Sequence, residues 1–148
     1  MQKILMVVGS VYGGAAEVAE AVARQAEAAG HWVDVTEAPE LSQLSQADAL
    51  LLITSTTGSG ELPDNLHAFY HQLQSQSPCL NALPFAVIAL GDTSYGDTYC
   101  AAGRQLDAVL ENLGAKRSVK RLEIDALEHF IAADGLGNWP KKWLAALA

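Results

Sequence analysis

The chain reads as an α/β protein, a doubly wound five-stranded parallel sheet with helices on both faces. Three observations predict it. Short apolar runs stand at residues 3–8 (KILMVV), 49–53 (ALLLI) and 85–90 (FAVIAL), and runs without alternation are the pattern of strands buried on both sides. The stretches between them carry helical patterns, as crossovers between parallel strands require. Each run then breaks into a loop rich in Gly, Ser and Thr, at residues 9–14 (GSVYGG), 54–64 (TSTTGSGELPD) and 91–97 (GDTSYGD). Ligands of open parallel sheets sit beyond the carboxyl ends of the strands, so one cofactor-sized site should unite the three loops.

Element by element, residues 3–8 form the first strand. Residues 15–29 are alanine-rich with helical spacing, and Gly30 stands where a C-terminal cap residue would. Residues 32–36 (WVDVT) alternate as a strand that Ala38 and Pro39 end. Residues 41–48 are a polar connector, so the order β-α-β-β-α-β-α-β-α does not strictly alternate. Pro63 and Asp64 open a helix that runs to Gln74, and residues 77–84 break the chain before the strand at Phe85. Leu106, Val109, Leu110 and Leu113 have helical spacing, closed by Gly114. Residues 122–125 (LEID) are a short strand, residues 126–138 carry no clear pattern, and residues 139–148 form a closing helix.

Composition narrows the class. At 148 residues, half of them hydrophobic, the chain should make a single domain over residues 1–148 with a real core. Its apolar runs are too short to span a bilayer, and the run after Met1 leads into a glycine loop, so it is a core strand rather than a signal peptide. Cys79 and Cys100 form neither a redox pair nor a metal cluster, which points to a reduced, cytoplasmic protein. The net charge is −8, with no Lys or Arg between Arg24 and Arg104 and nine Asp and Glu in that interval. Nucleic acid is thereby excluded as a partner; an acidic face either aids solubility or docks basic proteins.

The first loop joins a strand to a helix start, where backbone N–H groups and the helix dipole favour an anion. It lacks the lysine of a nucleoside-triphosphate loop and the spacing of a dinucleotide fingerprint, which leaves a terminal phosphate held by neutral donors. Gly58 and Gly60 permit peptide orientations closed to other residues. The third loop offers an aromatic ring beside backbone groups, as one face of a planar heterocycle needs.

Other candidates have plainer readings. His67 and His71, one helical turn apart near Asp64, lack a further metal ligand and read as a polar helix face. Cys100 reads as a buried structural thiol, and Trp139 with Trp143 as core packing. Ser94 does not fit a nucleophile elbow.

Together the segments SVYGG (10–14), STTGSGELPDN (55–65) and LGDTSY (90–95) closely resemble the three flavin-mononucleotide (FMN) loops of flavodoxins, in order and over the whole chain. The likeness is nearest to small MioC-like, short-chain flavodoxins and to the flavodoxin domain of sulfite reductase and cytochrome P450 reductase. It implies an FMN-binding electron carrier without catalytic residues or metal. The phosphate would lie on Ser10, Val11, Tyr12, Gly13, Gly14 and Ala15. Thr56, Thr57, Gly58, Ser59 and Gly60 would flank one side of the flavin ring. Gly91, Asp92, Thr93, Ser94 and Tyr95, with Tyr99, would flank the other, Tyr95 stacking on it. The Gly58–Ser59 peptide would turn its carbonyl toward the ring.

Tyr12 and Ala15 replace hydroxyl residues usual in the family, each lost hydroxyl weakening phosphate binding by about 0.5–1.5 kcal/mol. Thr57 stands where many relatives carry an aromatic ring, and the third loop is one residue longer than usual. The implied partners are an NAD(P)H-dependent flavodoxin reductase and acceptor redox enzymes, met by a monomer through its acidic face. The alternative on the same fold is an FMN-dependent NAD(P)H:quinone reductase. A signalling receiver domain would need acidic residues where Gly9, Ser10, Thr54 and Ser55 stand.

Overall fold

A computed structural model describes residues 2–9, 14–56, 60–92, 100–126, 128 and 131–147. Five helices and six strands follow one another as β1 (Lys3–Gly9), α1 (Gly14–Ala28), β2 (Trp32–Thr36), α2 (Leu41–Gln46), β3 (Ala49–Thr54), α3 (Asp64–Gln76), β4 (Pro84–Gly91), α4 (Ala101–Asn112), β5 (Lys116–Arg117), β6 (Leu122–Asp125) and α5 (Trp139–Leu147). The sheet is parallel throughout, in the order β2-β1-β3-β4-β5, with β6 also on β4. β5 pairs with Pro84 and Phe85 at the start of β4, and β6 with the stretch from Ile88 to Gly91 at its end. The two are halves of one interrupted edge strand, which reconciles six segments with the five expected.

The central strands carry apolar residues at every position because both faces are covered. Ile4, Met6, Val8, Leu51, Ile53 and Ile88 face α1 and α5. Leu5, Val7, Leu50, Leu52 and Val87 face α3, α4 and Leu44 of α2. Trp139 and Trp143 stack with centroids 6.1 Å apart in the first layer, in the packing role read from their spacing. Gly30 (φ +94°) and Gly114 (φ +96°) turn the chain out of α1 and α4 in the left-handed conformation that suits glycine.

One expectation is corrected. Residues 41–48 are not a bare polar connector, because α2 occupies Leu41–Gln46 and restores strict β-α alternation up to α4. The helix is too short for an apolar stripe. It is held at its start, where the Glu40 N–H donates to Gln43 Oε1 at 2.8 Å, and by the buried Leu44. Within the pattern-less residues 126–138, Ala132–Gly135 make one 3₁₀ turn. Among the described residues no helix is long and apolar enough to cross a membrane.

Candidate functional site

The chain leaves β1 for β2 on one side and returns to β3 on the other, so the direction of winding reverses between β1 and β3. A crevice opens at the carboxyl ends of strands at such a switch point, a rule for which flavodoxins are themselves a standard instance. Gly9 pairs in register with Thr54, and Thr54 with Ala89, so the stems of all three loops emerge side by side. The Ser55 N–H and its hydroxyl both donate to the Gly9 carbonyl, at 2.9 and 3.1 Å, locking the first stem to the second. A Cβ on Gly9 would run into Leu66 of α3 and come within 2.8 Å of the Thr54 hydroxyl oxygen, so only glycine lets the three segments close up here.

α1 points its amino end at this crevice. Gly14, its first residue, lies against Leu90 of β4, where a Cβ would sit 3.4 Å from the leucine methyl, and Ala15 is fully buried behind it. The first turn of α1 thereby presents its N–H groups beside the end of β4, the polarity an anion requires. Gly60, at φ +97°, brings the second loop back, and Gln105 of α4 donates to its carbonyl at 3.0 Å. The third stem is held from the edge strand, the Ala126 N–H donating to the Gly91 carbonyl at 2.8 Å, with Asp92 half-buried beyond it. Leu62 and Pro63 are buried, which roots the end of the second loop in the core before α3 begins.

Of the residues read from sequence as cofactor contacts, Gly14, Ala15, Thr56, Gly60, Gly91 and Asp92 are among the described residues, at or after the carboxyl ends of β1, β3 and β4. Ser10, Val11, Tyr12, Gly13, Thr57, Gly58, Ser59, Thr93, Ser94, Tyr95 and Tyr99 lie outside the described residues. Thr56 carries the most direct sign of an incomplete site: its hydroxyl is buried with no hydrogen-bond partner among the described residues. A buried hydroxyl without a partner costs roughly 1–3 kcal/mol. A ligand oxygen would satisfy it, and the phosphate and hydroxylated side chain of FMN offer several.

The electrostatic setting is negative. Glu37, Glu61 and Asp64 are exposed on this side, and the sequence between Arg24 and Arg104 contains no Lys or Arg. An anion here must be held by neutral N–H and hydroxyl donors. Sequence reasoning missed the supports, namely Ser55 on Gly9, Gln105 on Gly60, and Asn65 on Val8 and Glu37. Asn65 had a signal, an amide placed directly after Pro63 and Asp64 at a helix start.

The plainer readings stand as follows. His67 and His71 are exposed on α3, and His67 Nε2 lies 2.8 Å from the Leu62 carbonyl, an acceptor that calls for the Nε2–H tautomer. Cys100 is buried and its thiol donates to the Ala89 carbonyl at 3.4 Å, a structural role.

Comparison with known proteins places this geometry. The Flavodoxin family model matches residues 6–132. Protein MioC of Escherichia coli is 41% identical over 147 residues, covering 99% of both chains. The sulfite reductase [NADPH] flavoprotein alpha-component of Vibrio cholerae is 36% identical over 148 residues, which take up 98% of this chain and 23% of that one. Among solved structures, a cysteine-to-serine mutant of flavodoxin from Pseudomonas aeruginosa superposes with a TM-score of 0.91 at 38% identity, covering 98% of each chain.

Proposed function

The chain belongs to the flavodoxin family, whose members bind FMN and carry electrons, and on that premise we propose that it is a one-domain cytoplasmic carrier. It takes single electrons from an NAD(P)H-dependent flavodoxin reductase and delivers them to acceptor redox enzymes, working as a monomer. Bound FMN would supply the one- and two-electron chemistry, and the protein supplies position and charge.

The observation that carries this reading is the buried, unpartnered Thr56 hydroxyl in a crevice where three glycine- and hydroxyl-rich stems converge. In it, Ser10, Val11, Tyr12, Gly13, Gly14 and Ala15 hold the phosphate from the start of α1. Thr56, Thr57, Gly58, Ser59 and Gly60 line one side of the ring. Gly91, Asp92, Thr93, Ser94, Tyr95 and Tyr99 line the other. The surrounding carboxylates, in a stretch of sequence without Lys or Arg from 25 to 103, disfavour added negative charge on the cofactor, which makes the protein a low-potential donor.

The same carboxylates give the carrier its docking face. The V. cholerae relative carries its matching segment as 23% of a longer flavoprotein component of an NADPH sulfite reductase, which supports a redox partner for this chain. Steering between a negative carrier and a basic partner weakens as salt screens it, over a Debye length of about 8 Å at physiological ionic strength.

The test is stopped-flow reduction of the FMN-loaded protein by a flavodoxin reductase and NADPH across ionic strengths. The bimolecular rate should fall steadily as salt rises; a rate indifferent to salt removes the acidic docking face. Sustained turnover of a quinone by the loaded protein with NAD(P)H and no reductase would replace the carrier with an enzyme.

A further inference from the structure

From the hydrogen bonds around the end of β1, we infer that Asn65 is a positioning residue for phosphate recognition: it completes the β1–β2 ladder one rung beyond the end of β2, from where the first loop departs. The inference rests on the FMN reading and adds to it a residue outside the family-derived contact set.

Backbone carbonyls of β1 alternate between its two neighbours. The Gln2 carbonyl accepts from Trp32 on the β2 side, at 2.9 Å, whereas those of Lys3 and Gly9 accept from Asp48 and Ser55 on the β3 side, at 2.8 and 2.9 Å. Even-numbered carbonyls therefore face β2, and the last of them is that of Val8. By the same alternation, the N–H due to meet Val8 belongs to Ala38. β2, however, ends at Thr36, and the Ala38 N–H turns back to the Thr36 hydroxyl at 3.1 Å. The Val8 carbonyl, at a position 1% exposed, would be left without its strand partner.

Asn65 fills the vacancy from α3. Its Nδ2 donates to the Val8 carbonyl at 2.7 Å and to the Glu37 carbonyl at 2.9 Å, using both amide protons. One side chain thus ties the last turn of β1, the exit of β2 and the start of α3. Its Oδ1 is buried with no partner among the described residues, a second acceptor at this corner besides the Thr56 hydroxyl. The close approach of Leu66 to Gly9 sets α3 against the same point, so the carboxyl end of β1, from which the first loop departs, is held jointly by these two neighbours on α3.

A residue that sets this departure acts on the loop that would hold the phosphate, and less on the ring-binding loops. Asn65→Asp keeps the shape and the acceptor but loses both donors and faces two carbonyls with an oxygen; Asn65→Ala loses all polar contact. Binding of FMN and of riboflavin, which lacks the phosphate, would be measured on each apoprotein by quenching of flavin fluorescence, with thermal melting in parallel.

Relative to the native chain, the FMN-to-riboflavin affinity ratio should fall about tenfold, the scale of two lost hydrogen bonds, in either variant. A purely structural role predicts lower melting with the ratio unchanged, and that result overturns the inference. A second measurement needs no variant: in the ¹⁵N-labelled native apoprotein, inorganic phosphate should shift the Asn65 side-chain amide resonances, and unmoved resonances at saturating phosphate overturn it equally. If the native chain binds neither flavin, the FMN reading itself falls; if it binds FMN and the ratio survives substitution, only the role of Asn65 does.

Discussion

The carboxyl rim of the sheet and the β5–β6 edge both hold polar groups against an apolar frame, and they treat them in opposite ways. At the edge the buried carboxylate is answered. Asp107 of α4, 2% exposed, accepts from Arg117 Nε at 3.0 Å and from Arg121 at 2.8 Å, with a further Arg117 nitrogen also on it. Arg117 meets Glu111 at 2.6 Å, and Arg121 meets Glu123 at 3.1 Å. The hydrogen bond from Arg117 to Asp107 is the main cause holding that guanidinium above its usual value. At the rim, by contrast, Thr56 and Asn65 each keep a buried polar atom without a partner among the described residues. Gln2 Oε1 and Trp143 Nε1 are also buried without a partner among the described residues, so it is the position of Thr56 and Asn65 beside the loop stems that connects their unsatisfied atoms with a ligand.

Substitutions can break this contrast, and the largest effect belongs to the edge. Asp107→Ala leaves two arginines facing a vacated pocket, but both are partly exposed and can turn to water. The cost should therefore be about 2–3 kcal/mol in urea unfolding, below the full penalty of a deeply buried pair, with FMN affinity held within roughly twofold. A loss of FMN affinity instead would show that the edge is not independent of the rim.

Gly9→Ala comes next. Its methyl must displace Leu66, which is fully buried, so about 1–3 kcal/mol of stability should go together with FMN binding. Thr56→Val separates the two properties: it removes a buried hydroxyl that has no partner among the described residues, so unfolding should shift by less than ~1 kcal/mol while FMN binds several-fold more weakly. Unchanged FMN binding would return Thr56 to the framework. Smallest of all, Gln43→Ala removes the side-chain half of the cap on α2 and should cost about 0.5–1 kcal/mol without touching the site.

The same contrast explains what could be read from sequence. The strands at 3–8, 49–53 and 85–90 were legible because burial on both faces forces an unbroken apolar run, and the three loops because glycine and hydroxyl residues cluster where backbone must approach a ligand. α2 was not, since six residues hold a single buried leucine and the helix is fixed by a cap rather than by periodicity. β5 was not, since its two residues are both charged and exposed and are strand only by pairing with Pro84 and Phe85. The ion pairs of Asp107 and the clamp of Asn65 join residues 10 to 57 positions apart, and no local pattern encodes such a meeting. Composition thus pointed to three loop stems that the sheet register brings side by side, while the residues that brace them emerged only from the fold.

The central claim is that the carboxyl rim of this sheet holds FMN through backbone N–H and hydroxyl donors. Titrating purified apoprotein with FMN in a calorimeter, followed by desalting and a visible spectrum, tests it most directly. One equivalent should bind with measurable heat and leave the protein yellow, with riboflavin bound more weakly. A colourless protein after desalting, with no heat at any FMN concentration, would contradict it.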